Sequence, residues 1–156
     1  MSYFLSSSRL FQSEVAAPKA APALNELGAE IAIARAKAAS GLAISDVRYA
    51  AVYDSFTITL AMLLEDLGLA GRGEAAARVR AGHFGRDGAM PLNTHGGLLS
   101  YGHCGVGGAM AHLVETHLQM TERAGPRQVR DASIALLHGD GGVLSSHVSM
   151  FLERVR

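Results

Sequence analysis

Cysteine is almost absent: Cys104 stands alone in a chain of 156 residues. No internal disulfide can form, and a reducing, cytoplasmic setting is the expectation. An excess of either charge is missing too, since 14 Lys+Arg face 14 Asp+Glu for a formal net charge of +0. Without a basic excess there is no electrostatic footprint for DNA or RNA, so no nucleic-acid partner is expected. No run of 18 apolar residues occurs, which argues against a transmembrane helix and a membrane partner. The opening Met1-Ser2-Tyr3-Phe4-Leu5 has no basic n-region and does not read as a secretory signal. Charged residues are scarce at 18%, against 49% hydrophobic. A chain more apolar and less charged than an average soluble domain implies surface built for a partner.

At this length one domain is the default. Residues 1–21 read as an irregular lead-in, with Tyr3-Phe4-Leu5 a short strand at most, and residues 22–156 as the domain. Pro22 to Ser40 predicts a helix: Pro22 suits a first turn, Leu24, Leu27, Ile31 and Ala34 recur at helical spacing, and Gly41 sits where a C-cap belongs. Arg48 to Val52 predicts a short buried strand. Phe56 to Leu67 predicts a helix that is apolar on nearly every side and therefore the most buried one. A small helix follows at Glu74–Ala81. Nine of the 18 glycines then fall between Gly82 and Gly108, and a long Gly-rich stretch inside a compact domain points to function. A helix at about Ala109–Glu122 and two strands, Ala132–Leu137 and Val143–Leu152, close the chain. The alternation predicts an α/β layer fold, a mixed sheet flanked by helices and ending in a β-hairpin.

Three patches carry polar chemistry. Tyr53-Asp54-Ser55-Phe56 lies where a strand gives way to a helix, the usual place for α/β active-site residues. Tyr53 is either a phenolic acid/base or a packed aromatic, and Asp54 either its charged neighbour or the N-cap of the helix that follows. Asn93-Thr94-His95-Gly96-Gly97-Leu98-Leu99-Ser100-Tyr101-Gly102-His103-Cys104 leads through Gly105–Gly108 into a helix N-terminus. That terminus can hold a phosphate or a developing oxyanion, although neither nucleotide-binding glycine motif is present. His103 can hold a carbonyl oxygen there and Tyr101 can exchange a proton; the plain alternative is a tight helix–sheet crossing. His138-Gly139-Asp140-Gly141-Gly142 marks the strand–strand turn, where Asp140 reads as ordinary hairpin chemistry. His112 and His117 are five apart and no Cys-x-x-Cys exists, so no metal site is expected. Cys104 reads as a buried small hydrophobe rather than a nucleophile.

In this order the three patches resemble the C-terminal half of the thiolase superfamily. Tyr53-Asp54-Ser55-Phe56 is similar to the family's Asn-Glu-Ala-Phe box, Gly102-His103-Cys104 to its Gly-His-Pro box, and His138-Gly139-Asp140-Gly141-Gly142 to its Cys-x-Gly-Gly-Gly box. The resemblance runs from about Pro22 to the C-terminus and implies a thiolase-like C-terminal domain acting on a CoA thioester. It implies Tyr53, Asp54, Tyr101, His103 and His138 as catalytic residues, with Asn93, Gly96, Gly97, Gly102 and Gly141 binding substrate or CoA. The departures matter: the box-one Asn is Tyr53 and the acid/base cysteine is His138, so a two-cysteine Claisen mechanism cannot be assembled from these residues. The pattern is closest to the sterol-carrier (lipid-transfer) branch and the steroid side-chain aldolases, which use tyrosines. It implies retro-aldol cleavage of a β-hydroxyacyl-CoA, with Tyr53 or Tyr101 as base, His103 as oxyanion donor and Asp54 orienting. A tyrosine base needs its pKa depressed by neighbours, or a relay to take the proton. No cofactor is implied beyond the CoA thioester substrate. The implied partners are a thiolase N-terminal half, a further copy of the chain and an OB-fold, zinc-ribbon protein. An acyl-CoA acyltransferase fragment and a non-catalytic half-thiolase assembly module are the competing readings, so whether the chain is itself an enzyme stays open.

Overall fold

The computed structural model describes residues 8–15, 28–142 and 144–154. The four apolar residues of β2 (Tyr49–Val52) are buried on both sides, and small Ala50 and Ala51 let helices approach from either face. β2 runs parallel to β3 (Ile134–Gly141), with Val52 opposite His138. β3 pairs antiparallel with β4 (Ser146–Arg154), and β4 with β1 (Ser8–Val15), giving a mixed four-stranded sheet in the order β1-β4-β3-β2. This is the expected α/β layer fold with a closing hairpin.

Alternation along the strands divides the core in two. Ala50, Val52, Leu136 and Phe151 face Ile33 of α1 (Ala29–Ser40) and Leu63 and Leu64 of α2 (Thr57–Asp66). Tyr49, Ala51, Ala135 and Leu137 face the other way, onto Met120 of α5 (Gly108–Met120). A short α3 (Ala75–Arg80) and a single-turn α4 (Leu98–Tyr101) lie within the long parallel crossover from β2 to β3. With helices on both faces, the parallel pair stays dry, as parallel strands require.

Several expectations are refined. Gly41 closes α1 with φ 73° and its N–H on Lys37 O. The helix runs from Ala29, and the stretch Pro22–Leu27, like the strand expected at Tyr3–Leu5, lies outside the described residues. Ser8–Val15, inside the stretch read as irregular, is an edge strand. It has no clear apolar alternation, and its eight-residue ladder with β4 is what defines it. α2 is not the most buried helix: it buries Thr59, Leu63, Leu64 and Asp66, while Phe56 and Ile58 at its start are 69% and 66% exposed. The reason is positional. The first turn of α2 lies beyond the end of β2 and borders an open cavity with the end of β3 instead of packing on the sheet. The final turn also shifts, because β3 continues through His138, Gly139 and Asp140 to Gly141, and Ser145 N–H bonds Gly141 O at 3.1 Å just before β4.

Candidate active site

The chain leaves β2 at Tyr53, whose N–H bonds His138 O at 2.9 Å, so the sheet still governs this residue. Its side chain is buried and its hydroxyl bonds His103 Nε2. The Gly105 N–H donates to His103 Nδ1 at 3.0 Å. An accepting Nδ1 carries no proton in the neutral ring, so Nε2–H donates to the Tyr53 oxygen. The phenolic proton is then free for a ligand. Tyr53 also rests on the first turn of α5: a Cβ on Gly108 would stand 3.0 Å from Oη. The positive end of the helix dipole favours negative charge on that oxygen.

Tyr53 and His103 line a cavity of about 580 Å³ with Phe56, Thr59, Asp140 and Leu144. Burial raises the Tyr53 pKa, and the charges of Asp140, Cys104 and Asp54 raise it further. Tyr101 is raised as well, by burial first. Neither phenol is depressed towards a resident base. With His103 Nε2–H donating to its oxygen, Tyr53 is set to donate a hydrogen bond rather than to take a proton.

Asp54 does not cap α2. Phe56 stands at that cap without a side-chain bond. The Asp54 carboxylate instead accepts the N–H groups of Leu98 (2.9 Å) and Leu99 (3.3 Å), the first residues of α4. His112 Nε2 of α5 lies 3.2 Å from its Oδ1. Burial pushes this carboxyl up, but His112 and the two backbone donors outweigh it and hold the pKa below the ordinary range. Gly97 makes the approach achievable: a Cβ there would sit 1.9 Å from Asp54 Oδ2, and its φ of 69° with ψ of 179° is a region essentially reserved for glycine. Gly96 and Gly102 also have positive φ and flank the same turn. Asn93 is a structural clasp. Its Oδ1 accepts Val52 N–H at 2.9 Å and its Nδ2 donates to Val52 O at 2.8 Å, so both backbone groups on that edge of β2 are satisfied.

The expected convergence on one site holds only in part. Gly141 joins Tyr53 and His103 at the cavity. Tyr101 is 55% exposed, packs against His95 with ring centroids 5.6 Å apart, and lines a different depression with Met110 and Val114. His138 is fully buried and both ring nitrogens are engaged, Nδ1 by Ser149 Oγ at 2.8 Å and Nε2 by His147 Nδ1 at 3.3 Å. His147 Nε2 faces Leu144 O at 3.1 Å. Because a carbonyl only accepts, this chain has one proton arrangement, with both rings neutral. Desolvation and His147 push His138 down to about 3. Cys104, expected to be buried, is exposed and free; the glycines around it offer no side chains to cover it.

Asp140 is the site residue that sequence reasoning placed in a turn. In β3 it pairs with His147, and its Oδ1 is buried with no hydrogen-bond partner. Its nearness in sequence to His138 was the available signal: residues two apart on a strand share a face.

A four-stranded mixed sheet sandwiched by helices, with a Tyr–His pair at the end of β2 and a glycine-rich turn at the end of β3, defines the class. Residues 13–154 match the family described as thiolase C-terminal domain-like, and the chain belongs to that family. It is 34% identical over 106 residues to the acetyl-CoA acetyltransferase of Methanothermobacter thermautotrophicus, covering 66% of this chain and 28% of that protein. It is 45% identical over 62 residues to the 17-hydroxy-3-oxo-4-pregnene-20-carboxyl-CoA lyase of Mycobacterium tuberculosis, covering 40% of this chain and 16% of that protein. The solved Ltp2-ChsH2(DUF35) aldolase superposes with a TM-score of 0.80 at 24% identity, over 93% of this chain and 38% of that chain. The chain therefore spans well under half the length of these relatives.

Proposed function

We propose that this chain is the C-terminal half of a thiolase-like enzyme that cleaves a β-hydroxyacyl-CoA by a retro-aldol reaction. The observation that carries the reading is the Tyr53–His103 pair facing the cavity, while the lone cysteine lies exposed outside it and His138 takes the place of the family's acid/base thiol. In retro-aldol cleavage the thioester carbonyl gathers negative charge as the C–C bond breaks, and a donor aimed at that oxygen lowers the barrier. Tyr53 directs its hydroxyl there as a hydrogen-bond donor and keeps its proton. His103 Nε2–H supports the phenolic oxygen from behind, and the N-terminus of α5 favours the charge that passes through it. The high phenol pKa keeps Tyr53 protonated and ready to donate. Asp54 orients by holding α4 and His112 in place. The 45% identity to a lyase of a steroid acyl-CoA supports the substrate class, a steroid or lipid side chain. No cofactor is needed beyond the CoA thioester.

A thiolase N-terminal half, an OB-fold, zinc-ribbon protein and a second copy of the chain are the partners this reading requires. The longer match to an acetyl-CoA acetyltransferase favours a second reading, acyl transfer through a thiol of the other half. The native assembly, given a β-hydroxyacyl-CoA, separates the two. Aldol cleavage releases a ketone and a shorter acyl-CoA, survives thiol-blocking reagents, and falls about 10²–10⁴-fold in Tyr53→Phe. Loss of turnover on thiol blocking, with Tyr53→Phe at full rate, returns the assignment to acyl transfer.

A further inference from the structure

Tyr53 donates a hydrogen bond to one substrate oxygen, but cleavage also needs a group that removes the β-hydroxyl proton. Tyr53 is protonated and committed to His103, and His138 is closed off by Ser149 and His147. Among the described residues, Asp140 is the remaining ionisable side chain in the cavity, and its Oδ1 has no hydrogen-bond partner. β3 carries it to the cavity wall beside Tyr53 and His103, and it also borders the adjoining cavity of about 300 Å³ with His112 and Ala109. A buried carboxylate oxygen without a partner has given up its water and received nothing in exchange. An incoming hydroxyl satisfies it.

We propose that Asp140 is the general base of this site, an assignment that rests on the retro-aldol reading above. Its carboxylate takes the proton from the substrate's β-hydroxyl. The O–H electron pair becomes the ketone C=O π bond, the Cα–Cβ bond breaks, and its pair moves into the thioester enolate held by Tyr53. The proton on Asp140 then returns to Cα, which releases the shorter acyl-CoA and restores the carboxylate. The step balances without an oxidant, a reductant or a second acid.

The electrostatics agree with the geometry. Burial lifts the Asp140 carboxyl above its ordinary value, and its own backbone N–H and the nearby His103 only partly offset this. A base closer to the working pH transfers protons better. The titratable groups around it are His138 one pleat back on β3, Tyr53 beyond β2, His103 ahead of α5, His112 on α5 and His147 across the ladder on β4.

The test uses the native assembly and 17-hydroxy-3-oxo-4-pregnene-20-carboxyl-CoA as substrate. Asp140→Asn, nearly isosteric, is expected to lower kcat at least 100-fold with KM little changed and to remove the acidic limb of the pH–rate profile. Asp140→Glu is expected to recover part of the rate together with that limb. Circular dichroism of both variants establishes that they fold. If the wild type cleaves the substrate and folded Asp140→Asn keeps its rate and pH profile, the assignment to Asp140 is overturned while the function stands. If Asp140→Asn is slow but the acidic limb persists, Asp140 is a positioning residue and the proposal also fails. If the wild type releases no ketone, the retro-aldol reading falls and takes this base with it.

Discussion

At Gly97 a missing side chain does more than many present ones. Its backbone lies so close to Asp54 that any Cβ would meet the carboxylate, and its φ/ψ excludes other residues without strain. The consequence is a coupling between two boxes 43 positions apart: Asp54 reaches the α4 amides only because residue 97 is glycine. Gly97→Ala is expected to cost about 2–4 kcal/mol, combining strain at this backbone conformation with overpacking, read as a lowered denaturation midpoint with an unchanged slope. Gly108 has a similar relation to Tyr53, where the approach is looser. The glycine richness of 82–108 was legible as a sign of close backbone approach. Which glycine served which partner was not, because each partner comes from a distant segment.

Among the elements, β3 and β4 hold the least ordinary feature, a hydrogen-bonded chain of Ser149, His138, His147 and the Leu144 carbonyl across the ladder. Both histidines have depressed pKa values, His138 to about 3 through desolvation and then His147, and His147 through desolvation. The unfolded chain binds protons near pH 6.5 while the folded one refuses them. The stability this neutral pair contributes is therefore fully present above pH 6.5 and is lost as pH falls towards 3. The slope approaches about 1.4 kcal/mol per pH unit for each histidine that the unfolded state protonates. Denaturant titrations at pH 7.5 and 5.5 are expected to show lower stability at the acid value, and His147→Gln to flatten the difference. Equal stability at both pH values in the wild type would contradict a neutral buried pair. Strand periodicity showed β3 as apolar, but it could not show that the strand continues through Gly139 and Asp140, since glycines read as turn residues until a ladder partner such as Val148 is known.

For the molecule as a whole, the outward side of α5 matters most. α5 presents Met110 and Val114 one turn apart, both more than half exposed, and with Tyr101 they line an open depression. No helix among the described residues is long and apolar enough to cross a membrane, so this face does not belong to a membrane-spanning helix. A chain spanning 16–38% of its relatives' lengths would leave uncovered a surface that the rest of such a protein packs against. Sedimentation of the isolated chain at micromolar concentration is expected to show association, helped by zero net charge. Met110→Lys with Val114→Lys is expected to shift it to monomer. A wild type that sediments as a clean monomer would show that the stripe is no docking surface.

Periodicity and composition determined the alternation of helices and strands, the buried β2 and the stop at Gly41, while the family-like boxes singled out Tyr53 and His103, which the fold brings together. These depend on neighbours within a turn or a pleat, or on a pattern carried whole along the chain. Only the tertiary structure decided that Ser8–Val15 becomes an edge strand, that Asp54 serves α4 rather than α2, that Tyr101 turns outward and His138 inward, and that Asp140 faces the cavity. Each of those outcomes turns on contact between segments tens of residues apart. Such contacts are set by how the layers stack over the sheet, and local spacing along one segment carries no record of it.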